Sequence, residues 1–157
     1  MKKKYIFLFF LIGLISILSC EEPECNRQTL FFLQIDFYAF NEESTGNSSK
    51  ITVNELTVFG MGKQDNLLYN STNNVRSIIL PLNNNTEQST FVIENELGTD
   101  TLTIGYIPRP EYISKECGVS MTYSINDTTS TRNGIQDLRI INPLVNANSN
   151  ENIRLFY

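Results

Sequence analysis

The segment "IENELGTD" sets Glu94 and Glu96 two residues apart, with Asp100 four positions further on. Alternate residues of a strand share a face, and two carboxyl groups flanking a bond at about 5 to 9.5 Å are the machinery of glycoside hydrolysis. The same residues also describe a solvated strand end followed by a turn, and this simpler reading is preferred: no enzyme is expected. The loop is rich in oxygen ligands but lacks the D-x-[DN]-x-[DN]-G order of a calcium loop. "Gly60-Met61-Gly62-Lys63" matches neither glycine-rich phosphate-binding spacing, so it reads as the glycine-lined exit from a strand. The chain contains no histidine. Ser-His-Asp and Cys-His nucleophiles and histidine-ligated metals are thereby excluded, and no cofactor or metal is expected.

Three cysteines remain, Cys20, Cys25 and Cys117. Lys2 to Lys4 precede an apolar run from Tyr5 to Leu18, a charged start and hydrophobic segment of secretory-signal length. A transmembrane helix needs about 20 apolar residues, so a cleaved signal over residues 1–19 is the better reading. The ending Ile17-Leu18-Ser19-Cys20 resembles a bacterial lipobox, in which the cysteine is acylated and becomes the first mature residue. Acylation at Cys20 would anchor the protein to a membrane without a span, with residues 20–28 as a lipidated tether. Loss of the signal leaves 9 basic against 17 acidic residues, a net charge of −8. That surface suits neither nucleic acid nor a polybasic grip on anionic lipid.

An exported chain matures under oxidising conditions, so Cys25 and Cys117 are expected to form a disulfide. In "CGVSMTYSI", Cys117, Val119, Met121, Tyr123 and Ile125 alternate with small or polar residues, which predicts a strand with Cys117 on its core-facing side.

The elements that would position these groups are strands. "TLFFLQIDFYAF" puts Phe31, Leu33, Ile35 and Phe37 on one face and Gln34, Asp36 and Tyr38 on the other. "TVNELTVFG", "RSIILPL", "STFVIEN", "DTLTIGYI", "IQDLRII" and "NIRLFY" are short, β-branched or aromatic, and bounded by polar clusters. A phase slip between Val53 and Leu56 predicts a bulge or late strand start near Asn54 and Glu55. "NNN" at 83–85, "LGTD" at 97–100 and "NG" at 133–134 are the turn signals. About eight strands in residues 29–157 predict one all-β domain, an immunoglobulin-like antiparallel sandwich, with a small barrel as the alternative.

Candidate contact residues are aromatic. Tyr38 and Phe40 fall on the face of the first strand opposite its apolar set and could form a sugar-binding platform. Arg109 and Tyr112 sit in "IPRPEY", which reads as a rigid contact loop. Asp100-Thr101-Leu102 and Asp127-Thr128-Thr129 are similar to the O-glycosylation acceptors of Bacteroidota, with Thr128 the better acceptor and Thr101 expected within a strand.

"PEC" at 23–25, "LTVFGMGKQDNLLYN", "IILPL", "STFVIENELGTDTLTIGY", "YISKECG" and "ENIRLFY" together resemble a family of small Bacteroidota lipoproteins whose domain has no assigned function. The resemblance implies outer-membrane residence, on either the periplasmic or the surface face, and a neighbouring outer-membrane β-barrel as partner. The leading expectation is a non-enzymatic accessory lipoprotein bound to an envelope partner. The alternative is a surface module for glycan or another ligand.

Overall fold

A computed structural model describes Cys25 and residues 29–41, 48–148 and 150–157. Among the described residues ten strands form two sheets, and there is no helix. In chain order they are β1 (Leu33–Tyr38), β2 (Leu56–Gly60), β3 (Leu67–Thr72), β4 (Ser77–Leu80), β5 (Gln88–Asn95), β6 (Gly98–Ser114), β7 (Gly118–Ser130), β8 (Asp137–Ile140), β9 (Leu144–Val145) and β10 (Ile153–Phe156). The smaller sheet has the order β4-β1-β10-β8 and the larger β3-β2-β5-β6-β7-β9. The expected β-sandwich is therefore present.

Alternation drives it. Leu33, Ile35 and Phe37 of β1 and Ile153 and Leu155 of β10 are buried against Val58, Ile93, Leu102, Ile104 and Tyr106 of the larger sheet. Removing such side chains from water, at about 25 cal/mol per Å² of apolar surface, is the main term favouring the fold.

One pairing departs from the antiparallel expectation. β1 and β10 run parallel at the centre of the smaller sheet, with Ile35 opposite Ile153 and Phe37 opposite Leu155. Parallel neighbours need a long crossover, and here nearly the whole domain supplies it. The slip near Glu55 is also present: Glu55 has φ 52°, Val53 bridges to Val75, and β2 begins only at Leu56.

β6 and β7 form a hairpin that outruns its neighbours. β5 ends its pairing at Gly105, whereas β6 pairs with β7 as far as Ser114. "IPRPEY" is thus strand and not a loop. The Tyr106 amide donates to Glu87 O, away from β7, at 2.8 Å. Pro108 and Pro110, at two-residue steps from it, direct their nitrogens to the same side, where no strand follows and no donor is needed.

Candidate functional site

The two ends of the sandwich carry different chemistry. At the β5–β6 turn, Asp100 is 1% exposed because its carboxylate is fully occupied. Oδ1 accepts from Thr131 Oγ1 and the Asn133 amide, both at 2.8 Å, and Oδ2 from the amides of Gly134 at 2.8 Å and Ile135 at 2.9 Å. Burial raises its pKa, but these four donors together outweigh that and hold the group below its ordinary value.

The Asn133-Gly134 pair therefore serves as a seat for Asp100 and not as a hairpin turn. A Cβ on Gly134 would stand 2.9 Å from Leu97 O, so only glycine fits. Glu96 caps Asn54 instead, and Glu94, next to the buried Ile93 that pairs with Asp100, faces the opposite side of the sheet. The three carboxylates do not converge. No group of three or more metal-ligating acidic or cysteine residues occurs among the described residues.

Tyr38 lies on the outer face of β1, as expected, but is only 6% exposed. Its ring is flanked by Arg154, 4.6 Å away, and Lys50, 5.9 Å away, and contacts Phe156 at 5.7 Å. Arg139 in turn covers Phe156 at 4.8 Å. The cations are themselves paired, Lys50 with the buried Asp36, Arg154 in a two-bond fork with Glu151, and Arg139 with Asp137. Tyr38 also donates to Glu151 Oε1 at 2.9 Å. A sugar platform needs an open ring face, and here cations occupy it. Phe40 is half-exposed beyond the strand end, its amide held by Tyr157 O.

Arg109 and Tyr112 lie at the far end of the molecule from Tyr38 and Phe40, on the protruding part of β6. Tyr112 is 67% exposed and pairs with Val119, 62% exposed. Cys25 and Cys117 are disulfide-bonded there, across 92 residues of sequence. Cys117 is not on a core-facing strand position: it lies half-buried in the β6–β7 turn, and β7 begins at Gly118. The alternation of "CGVSMTYSI" belongs to β7, but of its apolar set only Tyr123 and Ile125 are buried, with Met121 half-buried against the core. Two shallow depressions flank Phe31 nearby. One, of about 340 Å³, includes Tyr112, Ile113 and Asn146–Asn148; the other, of about 330 Å³, includes Leu30, Phe32, Val119 and Met121.

Thr101 is a half-buried residue of β6 whose amide donates to Thr131 Oγ1 at 2.8 Å. Thr128 is a half-buried residue of β7 paired with Ile104. Cys20 lies outside the described residues, as do the other residues of the tether except Cys25.

A feature that sequence patterns did not single out is the flank where both sheets end. β8 is an edge of the smaller sheet and β9 an edge of the larger, and Ile140 at the end of β8, Ile141 in the link and Leu144 at the start of β9 are exposed. Buried Asn152 builds this flank. Its Nδ2 donates to Asn142 O at 3.0 Å and Leu144 O at 2.8 Å, and its Oδ1 accepts from the Gln34 amide at 3.0 Å. Its carbonyl accepts from the amides of Ile141 and Asn142. The one legible signal was an asparagine directly before the strand "IRLF".

Residues 55–157 match the model of a family of unknown function, DUF6452. The chain belongs to that family. The matched region begins one residue before β2 and includes every later strand. No curated protein and no solved structure matches the chain.

Proposed function

We propose that this protein is an accessory lipoprotein of the outer membrane, a member of a Bacteroidota group, anchored through acylated Cys20 and docked to a membrane protein, a β-barrel being the natural partner. The anchor reading rests on the order of lysines, apolar run, small residue and cysteine at residues 2–20. The observation that carries docking is the β8–β9 flank. Three exposed apolar side chains lie at or beside the outer edge of β8, and the backbone from Ile141 to Leu144 is fixed in advance by Asn152. Apolar residues next to unpaired edge groups are what strand-edge recognition uses. Prior fixing of the surface lowers the ordering cost of association.

Co-purification from gently solubilised outer membranes tests this reading. One envelope protein should be recovered at near-equal amount with the native chain. It should be lost from the Cys20→Ser strain and from an Ile141→Lys/Leu144→Lys variant that still reaches the membrane. Equal recovery with that variant would refute docking through the flank.

A further inference from the structure

The disulfide does more than close a loop: it fixes which end of the domain lies next to residue 20. Cys25 is bonded to Cys117 in the β6–β7 turn, and it lies five positions after Cys20. A fully extended chain spans at most about 3.6 Å per residue, so the bridge lies within roughly 18 Å of Cys20. The β5–β6 turn is much further away. Fourteen residues of β6 separate Gly98 from Tyr112, roughly 45 Å of strand at about 3.3 Å per residue.

The end that is held close is also the one built for an interface. Tyr112 and Val119 face each other across the hairpin and are both largely exposed, with Phe32 exposed at the adjoining depression. Tyrosine with aliphatic neighbours is the composition favoured at the headgroup level, where an apolar ring and a polar hydroxyl are both accommodated. The charges around them, Arg109, Glu111, Lys115 and Glu116, balance, so neither sign of headgroup is repelled. The open side of β6 carries Pro108 and Pro110, which offer no backbone donor to an added strand. A lipid surface makes no such demand, and this favours lipid over a protein strand as the occupant.

We propose that the β6–β7 hairpin end rests in the headgroup region of the bilayer, with Tyr112 and Val119 as its contacting side chains, so that the domain stands upright on the membrane. This orientation rests on the anchor reading above. It leaves the β8–β9 flank facing sideways, toward a protein in the same membrane.

The chain contains no tryptophan, so single tryptophans report position without background. Tyr112→Trp, Val119→Trp and Leu97→Trp variants of the acylated protein would be placed in phosphatidylethanolamine and phosphatidylglycerol vesicles containing brominated acyl chains. The expected result is several-fold stronger quenching and a blue-shifted emission for Tyr112→Trp and Val119→Trp, with Leu97→Trp at the opposite turn unchanged. Vesicle-bound protein with all three variants equally unquenched overturns the proposal. So does protection of Tyr112→Trp that appears only in native membranes containing a partner protein. A Cys20→Ser mature chain, held by an N-terminal hexahistidine tag on nickel-chelating lipid, separates the two readings. If native acylation is not found, quenching in the tagged form still supports hairpin contact, and its absence there overturns it.

Discussion

Cys117, in the β6–β7 turn, is bonded to Cys25 near the start of the domain, so a hairpin that extends past the core is tied to the segment leading from the tether. Ser120 Oγ donates to Thr29 O, and Phe31 packs into the core cluster. In the loop-entropy account, closure over 92 residues constrains the unfolded chain by about 4 to 5 kcal/mol, an upper value because residual structure reduces it. A Cys25→Ser/Cys117→Ser variant should therefore have an unfolding free energy lower by up to that amount, read from its denaturation curve. Hydrogen exchange should rise mainly over residues 110–120. Unchanged exchange at the hairpin would contradict the role assigned to the bridge.

Asp100 should make the fold acid-sensitive. Its carboxylate titrates below its ordinary value of 3.8 in the folded state, because four donors outweigh the effect of burial. Glu151 is lowered likewise, where bonds from Arg154 and Tyr38 outweigh burial. A lowered folded-state pKa means a contribution that is complete above the unfolded value and lost as pH falls through the folded one. Stability should therefore fall below about pH 4. The fall should be shallower in Asp100→Asn, which should also be less stable at pH 7 by about 2 to 4 kcal/mol, since buried amides lose a charged acceptor. Urea midpoints between pH 2 and 7 measure both effects, and parallel curves for the two proteins would count against this assignment.

The elements that could be read in advance are those with apolar residues at alternate positions facing the core. β1, β5, β7 and β10 declared themselves because Leu33, Ile93, Tyr123 and Leu155 recur at alternate positions. β3 went unseen because "LLYNST" is an exposed edge strand with no buried residue. Two prolines disguised the middle of β6, and only the early end of β5 reveals why they are tolerated there. Alternation also could not tell where β7 begins, which misplaced Cys117 by one element. The outward phase of Tyr38 was legible, but not its covering. Lys50 and Arg154 come from outside β1, and no local pattern announces a cation laid over a ring. The parallel pairing of β1 with β10 joins the two ends of the domain and leaves no local mark either.

Asn152 should prove to be the residue that shapes the β8–β9 flank. Its amide is fully buried and satisfied on both sides. Asn152→Ala leaves two carbonyls and one amide without their partner and should cost about 2 to 4 kcal/mol. Asn152→Asp keeps the bond from the Gln34 amide but sets an oxygen against the carbonyls of Asn142 and Leu144, so it should be no better than alanine. Denaturant unfolding of the three proteins decides, and a stable Asn152→Asp would show that the flank is held by other contacts.

Gly134 should tolerate no side chain. A Cβ there meets Leu97 O at 2.9 Å, closer than real Cβ contacts allow, and Leu97 C at a tight 3.1 Å, and the adjoining amides are those that hold Asp100. Gly134→Ala should lower stability by about 1 to 3 kcal/mol and reduce the acid sensitivity described above. A neutral Gly134→Ala in a thermal melt would show that the Leu97–Gly98 turn yields freely.

Both the docking flank and the upright orientation depend on the anchor at Cys20. Intact-mass measurement of the protein extracted from its own membranes tests that most directly. The account predicts a chain that begins at Cys20, carries a thiol-linked diacyl group and an amide-linked acyl chain, and retains the Cys25–Cys117 bond. A chain beginning elsewhere, or an unmodified Cys20, would contradict it.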